Sequence, residues 1–391
     1  MQGLSVLVIH NQYRQPGGED AVVRAEVELL RRAGHRVVQY SLCNVEIDEY
    51  SPWRKASLLL TTTWNPQSYR EIRDIVRQHR PDVAHCHNFL PLVSPAAHYA
   101  CKEAGTAVVQ TLHNYRLLCP AATFYRNGLR CTRCLRGSVH GIVRGCYRNS
   151  ALQTGTVSLM LATHRALRSW THKVDAFITP SRFSQDYFVK GGLPSQRIHC
   201  KPNFLATDPG AQSEPAGYAL FVGRLSEEKG VMEMLRAWQQ LPEVPLLVIG
   251  DGPLWWPAIQ LAAQAKGRIQ FLGQLDSSKT MAYLQRARCL IFPSRWYEPF
   301  GMALLEAGAC GVPAIASRIG AIPELVQDHD TGLLFDPDNT DDLAARVRWA
   351  WAHAAEMAAM GKAARQQFLQ SYTAEANYER LMSIYRRALG K

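Results

Sequence analysis

The 391-residue sequence has no uninterrupted apolar run of roughly 18 residues, so it offers no segment able to cross a bilayer as a helix. Its first strand-like run, Leu4–Ile9, is too short for the apolar core of a signal peptide and lacks a basic start. A cytoplasmic chain is therefore expected. No internal repeat and no low-complexity tract stands out beyond alanine-rich stretches near 344–364, which argues against a solenoid. There is no GxGxxG fingerprint, so a dinucleotide-binding dehydrogenase has little support. Acidic residues are absent from Arg116 to Arg148, a segment that holds seven arginines.

What is present is ordinary in bulk. Hydrophobic residues make up 47% and charged residues 20%, the balance of a folded globular protein rather than a disordered one. The length exceeds one ordinary core, so two domains are expected. The net charge of +11 is unevenly placed: residues 1–200 hold 25 Lys/Arg against 13 Asp/Glu, and residues 201–391 hold 19 against 20. That asymmetry points to an anionic partner on the first half, or to a merely soluble basic surface.

Strand-like runs alternate with helical patterns. Leu4–Ile9, Val37–Ser41, Val83–His87, Val108–Leu112, Ala176–Thr179 and Ile198–Lys201 form one series; Ala219–Val222, Leu246–Ile249, Ile269–Leu272, Cys289–Pro293 and Pro313–Ala316 form a second. Apolar, β-branched strands separated by helices predict parallel sheets covered on both faces. The expected architecture is α/β, with two Rossmann-like, doubly wound domains facing a central cleft. Pro202, Pro209, Gly210, Pro215 and Gly217 mark a linker. Boundaries follow: residues 1–202 with an insertion at about 116–150, a linker at 203–216, a second domain at 217–372, and a terminal helix at 373–391 able to return to the first domain.

The strongest motif is Phe292–Pro313, FPSRWYEPFGMALLEAGACGVP. Pro299 suits a first helical position, and at 1.5 Å per residue Glu298 and Glu306 lie about 12 Å apart along the axis. That span matches a nucleotide sugar from hexose to ribose, and it is too long for a glycosidase pair flanking one bond. Free amides at Phe300, Gly301 and Met302 would accept a diphosphate at the helix start. Taken alone, the two glutamates are also compatible with an ordinary helix.

Glu298-x7-Glu306 within EPFGMALLEA resembles the signature of the family 4 retaining glycosyltransferases, which have the GT-B fold. The resemblance runs through most of the chain. FVGRLSEEKG at Phe221–Gly230 is similar to the family's strand–loop–helix, implying Gly223 at the donor and Arg224 and Lys229 on its phosphates, a neutralisation that needs no metal. IGDGP at 249–253 resembles a donor-domain turn, implying Gly250 and Asp251; Gly273 and Leu275 fall where backbone contacts to the nucleobase are implied. Pro16-Gly17-Gly18-Glu19 resembles the glycine loop that faces the donor, implying Gly17 and Gly18. His113 in TLHNYR stands at the strand end where the family places a histidine near the transferred sugar; His85 and His87 follow the preceding strand and could face the same cleft.

The resemblance implies a metal-independent, retaining hexosyltransferase using a UDP- or GDP-linked sugar, with a glycan or lipid-diphosphate acceptor, in cell-surface polysaccharide or glycolipid synthesis. From the residues themselves, Cys119, Cys131, Cys134 and Cys146 could hold a structural zinc or remain reduced thiols. The arginine-rich insertion suits a lipid diphosphate or an anionic membrane face, giving a protein peripheral at the inner side of the membrane. Ala151–Thr171, with Trp170, is either a membrane-facing or a core helix. Competing readings are a metal-dependent transferase using Asp328-x-Asp330 or Asp336-x-Asp338, a nucleotide-sugar epimerase, and a basic nucleic-acid-binding protein. The last leaves the donor motifs unexplained, so no nucleic acid is expected.

Overall fold

The computed structural model describes residues 3–14, 17–211, 216–265 and 267–390. Pro16 of the glycine loop and Pro215 of the linker lie outside the described residues. The chain divides into two compact units. One comprises Met1–Phe124, Cys131–Ala206 and Asn377–Lys391; the other comprises Tyr125–Arg130 and Thr207–Ala376. The short hairpin at the heart of the insertion thus groups with the second unit, whereas the sequence reading kept the whole insertion in the first.

The first unit is built on strands β1 (Ser5–Gln12), β2 (Arg36–Cys43), β3 (Val83–Cys86) and β4 (Ala107–Thr111). The hairpin strands β5 (Tyr125–Arg126) and β6 (Leu129–Arg130) come next, then β7 (Ala176–Thr179) and β8 (Ile198–Cys200). Its sheet runs β2-β1-β3-β4-β7-β8, with every pairing parallel. The second unit contributes β9 (Ala219–Val222), β10 (Leu246–Ile249), β11 (Ile269–Gly273), β12 (Cys289–Phe292), β13 (Ala314–Ser317) and β14 (Gly332–Phe335). Its order is β11-β10-β9-β12-β13-β14, again all parallel. The central strands β3, β4, β7, β12 and β13 are buried throughout, as two-sided cover by helices requires.

In each unit the strand order reverses beside the first strand, at β1/β3 and at β9/β12. Ligands of such sheets bind outside the strand carboxyl ends at that point. The first unit's core joins Val6, Val8, Val23, Val27 and Leu30 to Leu381, Met382, Ile384 and Tyr385 of the terminal helix Ala374–Ala388. The second packs around the buried indole of Trp238 with Leu246, Ile291 and Leu343.

Candidate active site

The loops at the carboxyl ends of β9, β10 and β11 are laced together by backbone bonds. The Gly223 amide donates to the Ile249 carbonyl at 3.0 Å, the Gly250 amide to Gly273 at 2.9 Å, and the Leu225 amide to Asp251 at 2.9 Å. Glycine is obligatory at Gly250: its φ is +137°, and a Cβ there would lie 1.9 Å from the Gly223 carbonyl oxygen. Three of the glycines read from sequence thus form one continuous floor. Asp251 is exposed and caps its own turn, accepting from the Gly252 amide at 2.6 Å; Leu275 is partly exposed just past β11.

Lys229 and Glu298, 69 residues apart, meet where the order reverses. The loop after β9 lies on the loop after β12: the Arg295 amide donates to the Glu228 carbonyl at 2.8 Å, and a Cβ at Gly230 would strike the Pro293 carbonyl. The Lys229 ammonium donates to a Glu298 carboxylate oxygen, which also accepts from Ser294 Oγ at 3.1 Å. Glu298 is buried, and the ammonium lies 5.4 Å from the Trp296 ring centre. Arg224 is exposed and makes no side-chain hydrogen bond or ion pair among the described residues. A fixed ammonium and a free guanidinium stand on one loop.

The helix of the paired-glutamate motif begins later than expected, at Met302, and ends at Cys310. Gly301 is its N-cap, at φ 125°, which breaks helical geometry and keeps Pro299 and Phe300 out of the helix. Pro299 therefore does not occupy the first helical position, and the helical rise applies only from Met302 to Glu306, about 6 Å, so Glu298 and Glu306 are not separated by the expected 12 Å of helix. The anion-site reading is unaffected by that shift. The amides of Phe300, Gly301 and Met302 have no protein acceptor among the described residues, and Met302 opens a helix of nine residues. Glu306 is partly exposed with no cationic partner, and burial alone pushes its carboxyl up to about 7.

In the first unit the Gly17 amide is bonded by Asp20 at 2.8 Å, capping the helix Gly18–Arg32. Gly17 is exposed, and a Cβ there would touch nothing within 4 Å, so the loop is open rather than sterically constrained. Asn114 donates to Glu19 at 2.7 Å, bringing His113 and the glycine loop together. His87 faces His113, with Nδ1 3.0 Å from Nε2. His85 does not face out: it is fully buried, with its two nitrogens on Tyr385 and Thr111 at 2.8 and 2.7 Å. Trp170 is likewise core, stacked on Phe89 at 5.9 Å.

None of the four insertion cysteines is in a disulfide. Burial raises the Cys134 thiol to about 11, and Cys119, Cys131 and Cys146 each add to the rise, so the four share one neighbourhood. The acidic x-acidic pairs are occupied locally: Asp328 bonds Arg318 at 2.5 Å, and Asp338 bonds Arg295 at 2.5 Å and Arg130 at 3.0 Å.

Comparison with known proteins decides the family. Residues 16–208 match the model "Glycosyltransferase Family 4", and residues 208–367 match "Glycosyl transferases group 1". The chain belongs to the family 4 glycosyltransferases. Among curated relatives, D-rhamnosyltransferase WbpZ of Pseudomonas aeruginosa is 29% identical over 231 residues, 55% of this chain and 60% of that one. O-antigen chain mannosyltransferase B of Escherichia coli is 31% identical over 194 residues, 44% and 50% of the two chains. Glycogen synthase of Mycobacterium tuberculosis is 29% identical over 306 residues, 76% and 66%. The chain thus spans between half and two thirds of the length of these relatives.

Similar solved structures are GT-B proteins, which fixes the fold. Sucrose-phosphate synthase of Thermosynechococcus elongatus has a TM-score of 0.73 at 19% identity, over 99% of both chains. Anabaena HepE in complex with UDP and glucose has 0.67 at 17%, over 97% of this chain and 98% of that one. For this family 4 chain, sequence reasoning missed Glu19, Asn114, Glu26 and Lys201. Lys201 looked like a strand end before Pro202, and Glu26 like one of several helix charges. Only their burial, at 2% and 1% exposure, sets them apart.

Proposed function

We propose that this chain is a retaining hexosyltransferase that takes its sugar from a UDP- or GDP-linked donor without a catalytic metal. The observation that carries the reading is the Lys229–Glu298 pair at the β9/β12 reversal, near the unpaired amides of Phe300, Gly301 and Met302. The Arg224 guanidinium and these amides, without protein partners among the described residues, suit a diphosphate together with the paired Lys229 ammonium, and Glu306 suits a ribose diol. Support also comes from the relatives, named for rhamnosyl and mannosyl transfer, and from HepE, solved with UDP and with UDP-glucose.

In the proposed step the bond from the sugar's anomeric carbon to the diphosphate breaks while the acceptor oxygen bonds on the same face. The acceptor proton passes to a diphosphate oxygen. Arg224, Lys229 and the helix amides hold the charge that develops there, Glu298 positions the sugar hydroxyls, and His113 meets the sugar from the first unit. The acceptor is a glycan or a lipid diphosphate of cell-surface synthesis.

A seat on an anionic inner membrane face is part of the proposal. Among the described residues no helix is long and apolar enough to cross a membrane. However, the helix Pro52–Thr61 buries none of its residues; Trp53 is 86% and Leu60 71% exposed, and Arg54 and Lys55 lie between them in sequence. A structural zinc at Cys119, Cys131, Cys134 and Cys146 is also part of the proposal; the thiols share a neighbourhood but are not gathered within ligand distance of one another, so the metal would have to draw them together.

The test is a thermal-shift panel of nucleotide sugars followed by transfer assays. The best donor at about a hundredfold its Kd should raise the melting temperature by several degrees. No shift with any UDP or GDP sugar would end the reading. Activity should persist in EDTA, and the product should keep the anomeric configuration by NMR; an inverted product would overturn the mechanism.

A further inference from the structure

Behind His113 lies a chain of buried polar groups that the proposed reaction does not use. Glu26 and Lys201 form an ion pair that is 1% and 2% exposed, and Asn377 accepts from the same ammonium at 3.4 Å. The other Glu26 oxygen, Oε2, faces His87 Nε2 at 3.6 Å. Neither of those two atoms has a hydrogen-bond partner among the described residues, and both are buried. The far nitrogen of His87, Nδ1, meets His113 Nε2 at 3.0 Å.

We propose that Glu26, acting through His87, fixes the tautomer of His113 so that its Nδ1 presents a lone pair to a sugar or acceptor hydroxyl. This rests on the reading that His113 meets the sugar. A neutral imidazole carries one N–H and one lone pair, and burial holds His85 and His113 neutral, lowering them to about 4 and about 3. At 3.6 Å the Glu26–His87 approach is too long for a hydrogen bond, but a buried carboxylate still favours an N–H over a lone pair in front of it. The Lys201 ammonium, bonded to the other oxygen, holds that carboxylate in place. His87 therefore carries its proton on Nε2 and accepts at Nδ1. His113 then donates through Nε2, leaving Nδ1, which bonds no protein group among the described residues, as an acceptor on a partly exposed ring.

Glu26, His85 and His87 also bring ligand atoms within 4.8 Å of one another, an arrangement that invites a cation. Two facts weigh against one. Both His85 nitrogens are engaged by Tyr385 and Thr111, and the Lys201 ammonium already neutralises Glu26. Only two ligand atoms remain beside a buried positive charge, a poor cation site.

Glu26→Gln gives a sharp test. The amide oxygen can still accept from Lys201, but its NH2 then faces His87 Nε2. His87 should turn to the Nδ1–H form, and His113 should turn with it. Long-range 1H–15N correlation on full-length protein, with His113 assigned by loss of its signals in His113→Gln, should show Nε2–H in the wild type and Nδ1–H in Glu26→Gln. With the best nucleotide sugar, kcat/KM should fall roughly tenfold, the worth of one hydrogen bond. If Glu26→Gln fails to fold, His87→Leu leaves the Glu26–Lys201 pair intact and should give His113 as a mixture of tautomers. An unchanged His113 tautomer in every folded variant, or Nδ1–H in the wild type, would overturn the relay. Wild-type His87 signals that move on adding EDTA would replace it with a metal centre. If the tautomers switch but His113→Ala retains full kcat/KM, the relay stands and the sugar-facing role of His113 falls.

Discussion

The two sheets finish their carboxyl ends in opposite ways. In the second unit the carboxyl ends of β9, β10 and β11 make a floor of glycine backbone, and beside the Lys229–Glu298 pair several polar groups have no protein partner among the described residues: three amides at Phe300, Gly301 and Met302, the Arg224 guanidinium, the Glu306 carboxyl. In the first unit the groups behind the strand ends mostly face one another, as His10 with Asp20 at 2.9 Å, His87 with His113, and Glu26 with Lys201. A site whose polar groups are unpaired is preorganised for a charged ligand. A site whose groups pair internally can only aim or tune what it presents. The first arrangement fits the proposed diphosphate donor, and the second the proposed sugar or acceptor hydroxyl.

That contrast can be broken by substitution, and the largest effect should fall on the open side. Lys229→Ala should lower kcat by roughly 10²–10³, the loss expected when one preorganised charge-stabilising donor is removed. A steady-state assay that finds kcat unchanged with KM raised would make Lys229 a binding group only. On the closed side, Lys201→Met should cost stability before activity. It leaves the Glu26 carboxylate buried and unpaired, a loss of about 3–5 kcal/mol, or roughly 10 °C in the melting of a unit of this size. Calorimetry showing an unshifted transition would mean that the pair is dispensable.

A third expectation sharpens the open side through pH. Burial raises Glu306 from 4.5 to about 7, so the folded chain holds a proton that the unfolded chain has already released. Its contribution to stability is therefore largest below about pH 4.5 and declines as pH rises through 7. If Glu306 holds a ribose diol as proposed, the diol donates to the ionised carboxylate, and donor affinity should be roughly tenfold weaker at pH 6 than at pH 8. Titration calorimetry should show this slope vanish in Glu306→Gln. The smallest effect is expected at the surface helix Pro52–Thr61. Trp53→Ser with Leu60→Ser should weaken co-sedimentation with phosphatidylglycerol vesicles a few-fold and leave soluble-acceptor turnover unchanged. Equal sedimentation would remove the membrane seat.

These two ends also differed in how far the sequence reveals them. Gly223, Gly250 and Gly273 are reached through the family resemblance; the structure supplies the physical reason for Gly250, whose φ of +137° and close approach to Gly223 demand glycine. Arg224 and Lys229 stand out only through the resemblance of FVGRLSEEKG to the family's motif, and Glu298 through EPFGMALLEA. The start of the helix at Met302 was hidden, because Pro299 is an equally good helix opener and the positive φ of Gly301 leaves no mark beyond the glycine itself. The web behind His113 was unreadable for a different reason. Glu26 and Lys201 are 175 residues apart, and each sits among charged residues of ordinary surface helices and strand ends. Nothing local distinguishes a charge destined for the interior. Likewise Asn114 could be read as a turn residue beside His113, and only its 2.7 Å bond to Glu19 shows what it joins.

The terminal helix Ala374–Ala388 completes the core of the first unit. Tyr385 bonds His85 from 300 residues away, and Leu381, Met382 and Ile384 complete the core begun by Val6 and Val8. The half of the molecule that leaves the ribosome first is therefore finished last. Until that helix is made, the first unit's core lacks Leu381, Met382, Ile384 and Tyr385, and His85 lacks the Tyr385 hydroxyl. Long-range closure of that kind is slow, and an incompletely covered core is where nascent chains become vulnerable. A ribosome stalled anywhere in the second unit would hold a first unit able to form its strands but not to close its core.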